Sequence, residues 1–349
     1  MEVAGTLAEL LGTKLPIIQA PMAGAQGASL AAAVSNAGGL GSLPCAMLTP
    51  PGVRAELEAV KRQASGPVNV NFFCHTMPVP DLDREARWRA VLSSYYDELG
   101  LDPEQVTPGS VRVPFDHAAA DVVGEMQPEV VSFHFGLPQA DLLARVKATG
   151  ARVLASATTV DEARWLEERG VDAVIAQGLE AGGHRGMFLS SDLTTQIGTM
   201  ALVPLISRAV DVPVIAAGGI ADARGVAAAM ALGASGVQVG TAYLRCPEST
   251  ISDVHRNALA GEDARHTAVT NVLSGRPARG IVNRVIRELG AIRADAPDFP
   301  LATQAITPLR AAAERNGSGD FSPLWAGQNA AGSAEMPAAE LTCELASAF

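Results

Sequence analysis

The residues able to do chemistry in this 349-residue chain gather in a few short, glycine-rich runs. The richest is Gln177-Gly178-Leu179-Glu180-Ala181-Gly182-Gly183-His184-Arg185-Gly186. An imidazole titrates near neutrality, which suits proton transfer or a hydrogen bond to developing negative charge. His184 is therefore the leading catalytic candidate. It sits among small and polar residues whose glycines predict a mobile loop with no bulky neighbour to bury the ring; the bland alternative is a surface histidine. His134 is the second candidate. It falls within the apolar run Val130-Val131-Ser132-Phe133-His134-Phe135, where alternation leaves open whether it faces inward or packs outward. His75 is weaker, His117, His255 and His266 read as surface positions, and Glu180 is a carboxylate without a partner.

A second pattern concerns anions. Ala216-Ala217-Gly218-Gly219-Ile220 and Gln238-Val239-Gly240-Thr241 each follow an apolar run and offer backbone N–H groups that glycine lets an anion approach closely. They predict a phosphate site, with a flavin, a nucleotide or a phosphorylated substrate as the bound group. The plain alternative is two ordinary glycine turns. No G-x-G-x-x-G follows a strand, so a Rossmann-type nicotinamide site is not supported.

These runs need elements to position them. Short apolar segments recur between Ala/Leu/Glu/Arg-rich stretches, and we read eight strands: 16–22, 39–43, 68–73, 130–135, 152–157, 173–177, 212–217 and 236–240. Their near-continuous apolar character predicts burial on both faces, as in a parallel sheet covered by helices. The stretch from Asp161 to Arg169 illustrates such a helix, with Ala163 and Leu166 inward and Glu162, Arg164, Glu167 and Glu168 toward water. Eight strands in this alternation predict an α/β fold, a parallel (β/α)8 TIM barrel; an open doubly wound sheet is the structural rival. In a barrel, active sites lie at the strands' C-terminal ends, which is where Met22, Asn71, Gln177, Gly218, Gly219 and Gly240 fall. We expect a barrel over 1–243 with an insertion at about 76–128, holding a polar helix around 82–99. Residues 244–349 leave the repeat and predict a capping segment over the mouth, with helical stretches and a closing helix.

The bulk properties agree with a globular enzyme. The formal charge of −11 argues against nucleic acid or an anionic membrane as partner, because both want concentrated Lys and Arg. Cys45, Cys74, Cys246 and Cys343 are far apart and form no C-x-x-C pair, so we expect reduced thiols, no metal site and a cytoplasmic setting. Residues 1–5 lack the start of a signal peptide, and no apolar stretch reaches the roughly 20 residues of a membrane helix.

In their order, the runs resemble nitronate monooxygenase, formerly 2-nitropropane dioxygenase, of the bacterial and fungal class. The likeness extends from Pro16–Met22 and Ala31–Gly41 through Asn69–His75 and the runs above. It continues in Cys246-Pro247-Glu248-Ser249, Ser274-Gly275-Arg276, Arg279-Gly280 and Trp325-Ala326-Gly327-Gln328. The resemblance implies non-covalent flavin mononucleotide (FMN), held by Met22, Asn71, Gln177, Gly182, Gly219 and the run Gln238, Val239, Gly240 and Thr241. It implies that His184 faces a small nitronate or nitro compound. It implies oxidation of alkyl nitronates by O₂ to a carbonyl compound and nitrite; monomer or homodimer is left open by the sequence. One departure stands out: where the class has tyrosines and a lysine near the substrate, this chain has Phe299, Thr303 and Thr307, which suggests a roomier pocket. Two rival functions remain: an NAD(P)H-dependent flavin reductase of the quinone or enoyl reductase kind, and a flavin-free phosphate-binding barrel acting as a lyase or isomerase.

Overall fold

A computed structural model describes residues 6–103 and 112–349. The chain opens with helix α1 (Leu7–Leu11), strand β1 (Ile17–Gln19), α2 (Ala28–Asn36), β2 (Gly41–Pro44), α3 (Pro50–Lys61) and β3 (Val68–Phe73). The insertion carries α4 (Leu82–Glu98) and α5 (His117–Met126); its stretch 104–111 and the N-terminal residues 1–5 lie outside the described residues. The alternation resumes with β4 (Val130–His134), α6 (Ala140–Ala148), β5 (Arg152–Ala157), α7 (Val160–Glu168) and β6 (Ala173–Gln177). A two-residue strand β7 (Gly183–His184) precedes α8 (Thr199–Ser207), β8 (Val214–Ala217), α9 (Ala223–Ala231), β9 (Gly236–Val239) and α10 (Thr241–Leu244). The tail holds α11 (Asp253–Ala260), β10 (Thr267–Thr270), β11 (Ala278–Ile281), α12 (Arg284–Leu289), α13 (Thr303–Arg315) and α14 (Ala338–Ala346).

Local chemistry sets the helix starts. The hydroxyls of Thr49 and Thr159 and the carboxylate of Asp222 each accept a backbone N–H from the first turn of α3, α7 and α9. Prolines occupy the first positions of α3, where a missing N–H costs nothing.

Eight strands pair in parallel in the order β1-β9-β8-β6-β5-β4-β3-β2. The two ends meet: Ile18 bridges Leu40, with Gln19 N donating to Leu40 O at 3.0 Å and Leu40 N to Ile17 O at 2.8 Å. The sheet is a barrel, and the open-sheet alternative is set aside. Alternate strand residues divide between two cores. Ile18, Leu154, Ile175 and Ile215 fill the lumen, with Leu7 and Leu11 of α1 packed among them. Ile17, Val153, Val174 and Val214 face the surrounding helices. Helix α14 packs between α2 and α9, where Thr342 meets the Tyr243 hydroxyl at 2.8 Å.

One sequence expectation changes. Glu162 on α7 does not face water: it is 1% exposed and accepts from Thr158 N and Oγ1 and from Phe188 N and Leu189 N. The helix period places it at the α7 start, where these orphan donors gather and supply what an ionised carboxylate needs when buried. Besides its helices the tail carries β10 and β11, which form a three-stranded antiparallel sheet with β7 of the loop after β6. Trp88, Leu92, Tyr95 and Tyr96 of α4 pack with Val285, Ile306, Leu309 and Phe321, so insertion and tail share one cluster. Among the described residues, no helix is long and apolar enough to cross a membrane.

Candidate active site

A cavity of about 260 Å³, room for an organic molecule rather than a lone water, opens at the C-terminal ends of the barrel strands. Met22 lines it after β1, Asn71 on β3, His134 on β4 and Gln177 on β6. Gly182 and His184 follow from the loop after β6, Gly218 and Gly219 from the turn after β8, and Gln238, Gly240 and Thr241 from β9 and α10. One residue expected there is absent. Strand alternation turns the Gln238 side chain inward and the Val239 side chain out into the helix-facing core, so Val239 does not line the cavity.

The loop bearing His184 is held, contrary to the mobility its glycines suggest. Gly183 and His184 pair with Arg279 and Ala278 of β11. The guanidinium of Arg185, fully buried, donates to Gln177 O at 2.8 Å, Gly178 O at 2.7 Å and Gln196 Oε1 at 2.9 Å. Arg279 Nε donates to Leu179 O at 2.8 Å. Gly182 must be glycine because a Cβ there would lie 2.6 Å from the backbone of Ala326 and Gly327. The tail thus fixes the loop. The sequence signal existed, in Arg279-Gly280 and Ala326-Gly327, but it lies a hundred residues away and shows no partner until the chain folds.

His134 and Gln177 both serve the same carbonyl. His134 Nε2 donates to His184 O at 3.1 Å, while its Nδ1 lies 3.1 Å from Ser156 Oγ. Gln177 Nε2 donates to His184 O at 3.0 Å, and Gln177 Oε1 accepts from Gly186 N at 2.7 Å. Glu180 is tied as well, accepting from Thr199 N and Oγ1 at 2.7 and 2.8 Å. Asn71 Nδ2 donates to Ser132 Oγ at 2.9 Å.

The His184 ring lies among Phe73, Phe135, Phe299 and Trp325, with centroids 6.3, 6.1, 5.1 and 5.4 Å away. Its Nε2 is 2.9 Å from Ser274 Oγ, and that hydroxyl is 3.2 Å from Arg276 O. Burial first, then the positive charge of Arg112, holds the imidazole well below its ordinary pKa. His134 is lowered to about 4, by burial against its hydrogen bond to the His184 carbonyl. His75 is buried and does not line the cavity; its Nε2 donates to Arg112 O at 3.1 Å. His255, read as a surface residue, lines the cavity because α11 folds back over the mouth. Phe299 is buried against His75 and His184. Thr303 meets Arg112, and Thr307 is exposed and does not line the cavity.

The lining has unmet hydrogen-bonding capacity. Gln238 Oε1 is buried without a partner. Among the described residues, the N–H groups of Gly219 and Ile220 find no acceptor. A buried amide oxygen is rarely left so, and together with the free N–H groups it fits a ligand with both donors and anionic oxygens.

Comparison with known proteins agrees with this architecture. The family model described as nitronate monooxygenase matches residues 5–347. A nitronate monooxygenase of Pseudomonas aeruginosa is 45% identical over 335 residues, 95% of each chain. One of Paraburkholderia phytofirmans is 44% identical over 343 residues, covering 97% of this chain and 93% of that one. Among solved structures, a nitroalkane oxidase from Streptomyces ansochromogenes superposes with a TM-score of 0.87 at 38% identity, covering 99% of both chains. FabK from Thermotoga maritima does so with a TM-score of 0.72 at 29% identity, over 99% of this chain and 96% of that one. Matched along nearly its whole length in sequence and in fold, the chain belongs to the nitronate monooxygenase family.

Proposed function

We propose that this protein is an FMN-dependent enzyme that oxidises alkyl nitronates with O₂ to a carbonyl compound and nitrite. Net, one O₂ serves two nitronate anions: each α-carbon gains one oxygen atom and each nitrogen leaves as nitrite, with no external reductant consumed. The observation that carries the reading is the convergence, on one cavity, of the His184 imidazole, the orphaned Gln238 amide oxygen and the glycine turns after β8 and β9.

The residues fit the cofactor. Gly218 and Gly219, at φ +123° and +74°, together with Gly240 and Thr241, would take its phosphate. Met22, Asn71, Gly182 and Gln238 would line its ring system, while Gln177 acts through the loop it clamps. When bound, FMN supplies the redox chemistry, accepting electrons from substrate and passing them to O₂.

The protein's own part is to orient and to manage a proton. The Arg276 carbonyl only accepts, so Ser274 Oγ–H donates to it and takes a hydrogen bond from His184 Nε2–H. Nδ1 is left as the acceptor of a neutral ring, with no protein partner among the described residues. That nitrogen is suited to take the α-proton of a nitroalkane and, once protonated, to hydrogen-bond the anion formed. His134 is a positioning residue. Phe73, Phe135 and Phe299 keep water from the ring.

The test is spectroscopic. The purified protein is expected to be yellow and to release FMN on heating. Anaerobic mixing with a short-chain nitronate should bleach the flavin, and oxygen should restore it with release of nitrite. Bleaching by NADH instead would establish the reductase, and a colourless protein that cannot be reconstituted would establish the flavin-free barrel.

A further inference from the structure

The cavity carries a cation that the framework does not use. Arg112 enters it from the insertion, just before α5. Its backbone is pinned: the carbonyl accepts from His75 Nε2 at 3.1 Å, and three residues on Phe115 N donates to Phe73 O at 2.8 Å. Its guanidinium meets only weak partners, Thr303 Oγ1 at 3.4 Å, Met47 Sδ at 4.0 Å and the Phe299 ring, whose centroid is 5.6 Å from its central carbon. Phe299 is also 5.1 Å from the His184 ring. Arg112 and His184, which both line the cavity, therefore flank one aromatic side chain.

No carboxylate answers this charge among the described residues. Glu314 is taken by Arg310 Nε at 2.8 Å and by Ser322, Asp298 pairs with Arg84 at 2.9 Å, and Glu162 already accepts four hydrogen bonds. The charge that acts on it is another cation, Arg310. A half-buried guanidinium without an anion is costly, and the cost is recovered when a ligand brings one.

We infer that Arg112 is the specificity-determining residue that recognises the substrate's negative charge, its planar N–H groups pairing with the oxygens of a nitronate held between it and His184. The site thereby favours nitronate anions over the neutral nitroalkanes from which they form. This rests on the function proposed above, but the guanidinium and its lack of a carboxylate partner are observed independently of it.

The test uses the purified holoenzyme, wild type and with Arg112→Gln or Arg112→Lys. Arg112→Gln should raise KM for a short-chain nitronate about 10- to 100-fold, as loss of a charge-assisted hydrogen bond does, and change KM for the parent nitroalkane less than threefold. Arg112→Lys, which keeps the charge, should recover most of the loss. A second arm titrates nitrate, a planar oxyanion, and follows the fluorescence of Trp325, 5.4 Å from His184. Saturable quenching in wild type and Arg112→Lys, lost in Arg112→Gln, supports the assignment. Equal effects on nitronate and nitroalkane, or unaltered nitrate binding in Arg112→Gln, overturns it. If the wild type does not turn over nitronates, the proposed function fails, and the nitrate arm still decides the role of Arg112. Circular dichroism and the Lys variant separate lost pairing from lost fold.

Discussion

The Nε2 atom of His184, after the sixth barrel strand, lies 2.9 Å from the hydroxyl of Ser274, ninety residues later. That contact joins the barrel's reactive loop to the tail and fixes which ring nitrogen carries the proton.

Replacing Ser274 with Ala removes the acceptor for Nε2–H. The ring loses its tautomer preference, and kcat/KM is expected to fall about tenfold, the worth of one hydrogen bond. Flavin content, read by absorbance, should be unchanged. A variant with normal kcat/KM would show that the bond does not orient the ring.

His184→Asn tests the proton transfer. General-base catalysis is commonly worth 10²–10⁴-fold, so turnover of a nitroalkane should fall by about 100-fold or more. A preformed nitronate needs no deprotonation and should lose much less. Equal losses would defeat the base role. Because burial and Arg112 hold the His184 pKa well below its ordinary value, the ring stays neutral at pH 6.5. The acid limb of the nitroalkane profile should therefore lie below that of a free histidine; a limb at 6.5 would contradict this environment.

Three other histidines make stability depend on pH. His75, His134 and His255 are lowered from 6.5 to about 4, in each case chiefly by burial. The unfolded chain binds protons there that the native state refuses, so their neutral forms support the fold fully above pH 6.5. That support is lost as pH falls from 6.5 toward 4. Tm should drop across this window, and His134→Gln should shallow the slope. A Tm flat across that interval would refute the assignment.

Gly182→Ala puts a Cβ 2.6 Å from the Ala326 and Gly327 backbone. Neither side can yield by rotating a side chain, so the loop and the tail must separate. We expect activity to fall more than tenfold, with weaker flavin retention measured by ultrafiltration, while far-ultraviolet circular dichroism stays native. Full flavin retention would show that the close approach is dispensable.

Much of the framework is legible in the chain itself. Runs such as Val130–His134 and Ala173–Gln177 are apolar except at Ser132 and at the last position of each, because strands buried on both faces demand it, and that pattern is local. The same holds for the glycines after β8, whose positive φ values no other residue adopts cheaply. The sequence determined the barrel, the end at which its polar residues collect, and His184 as a reactive candidate. It did not determine what holds or charges them. Glu162 was assigned to water by helical period and is buried, and the loop of His184 looked mobile and is strapped by Arg185, Arg279 and β11. Arg112 had no motif to mark it. Those outcomes depend on contacts between residues up to about two hundred positions apart, and periodicity reports only neighbours along one element. Tertiary structure alone decided which donors met which acceptors, and which cation, among the described residues, was left without a carboxylate.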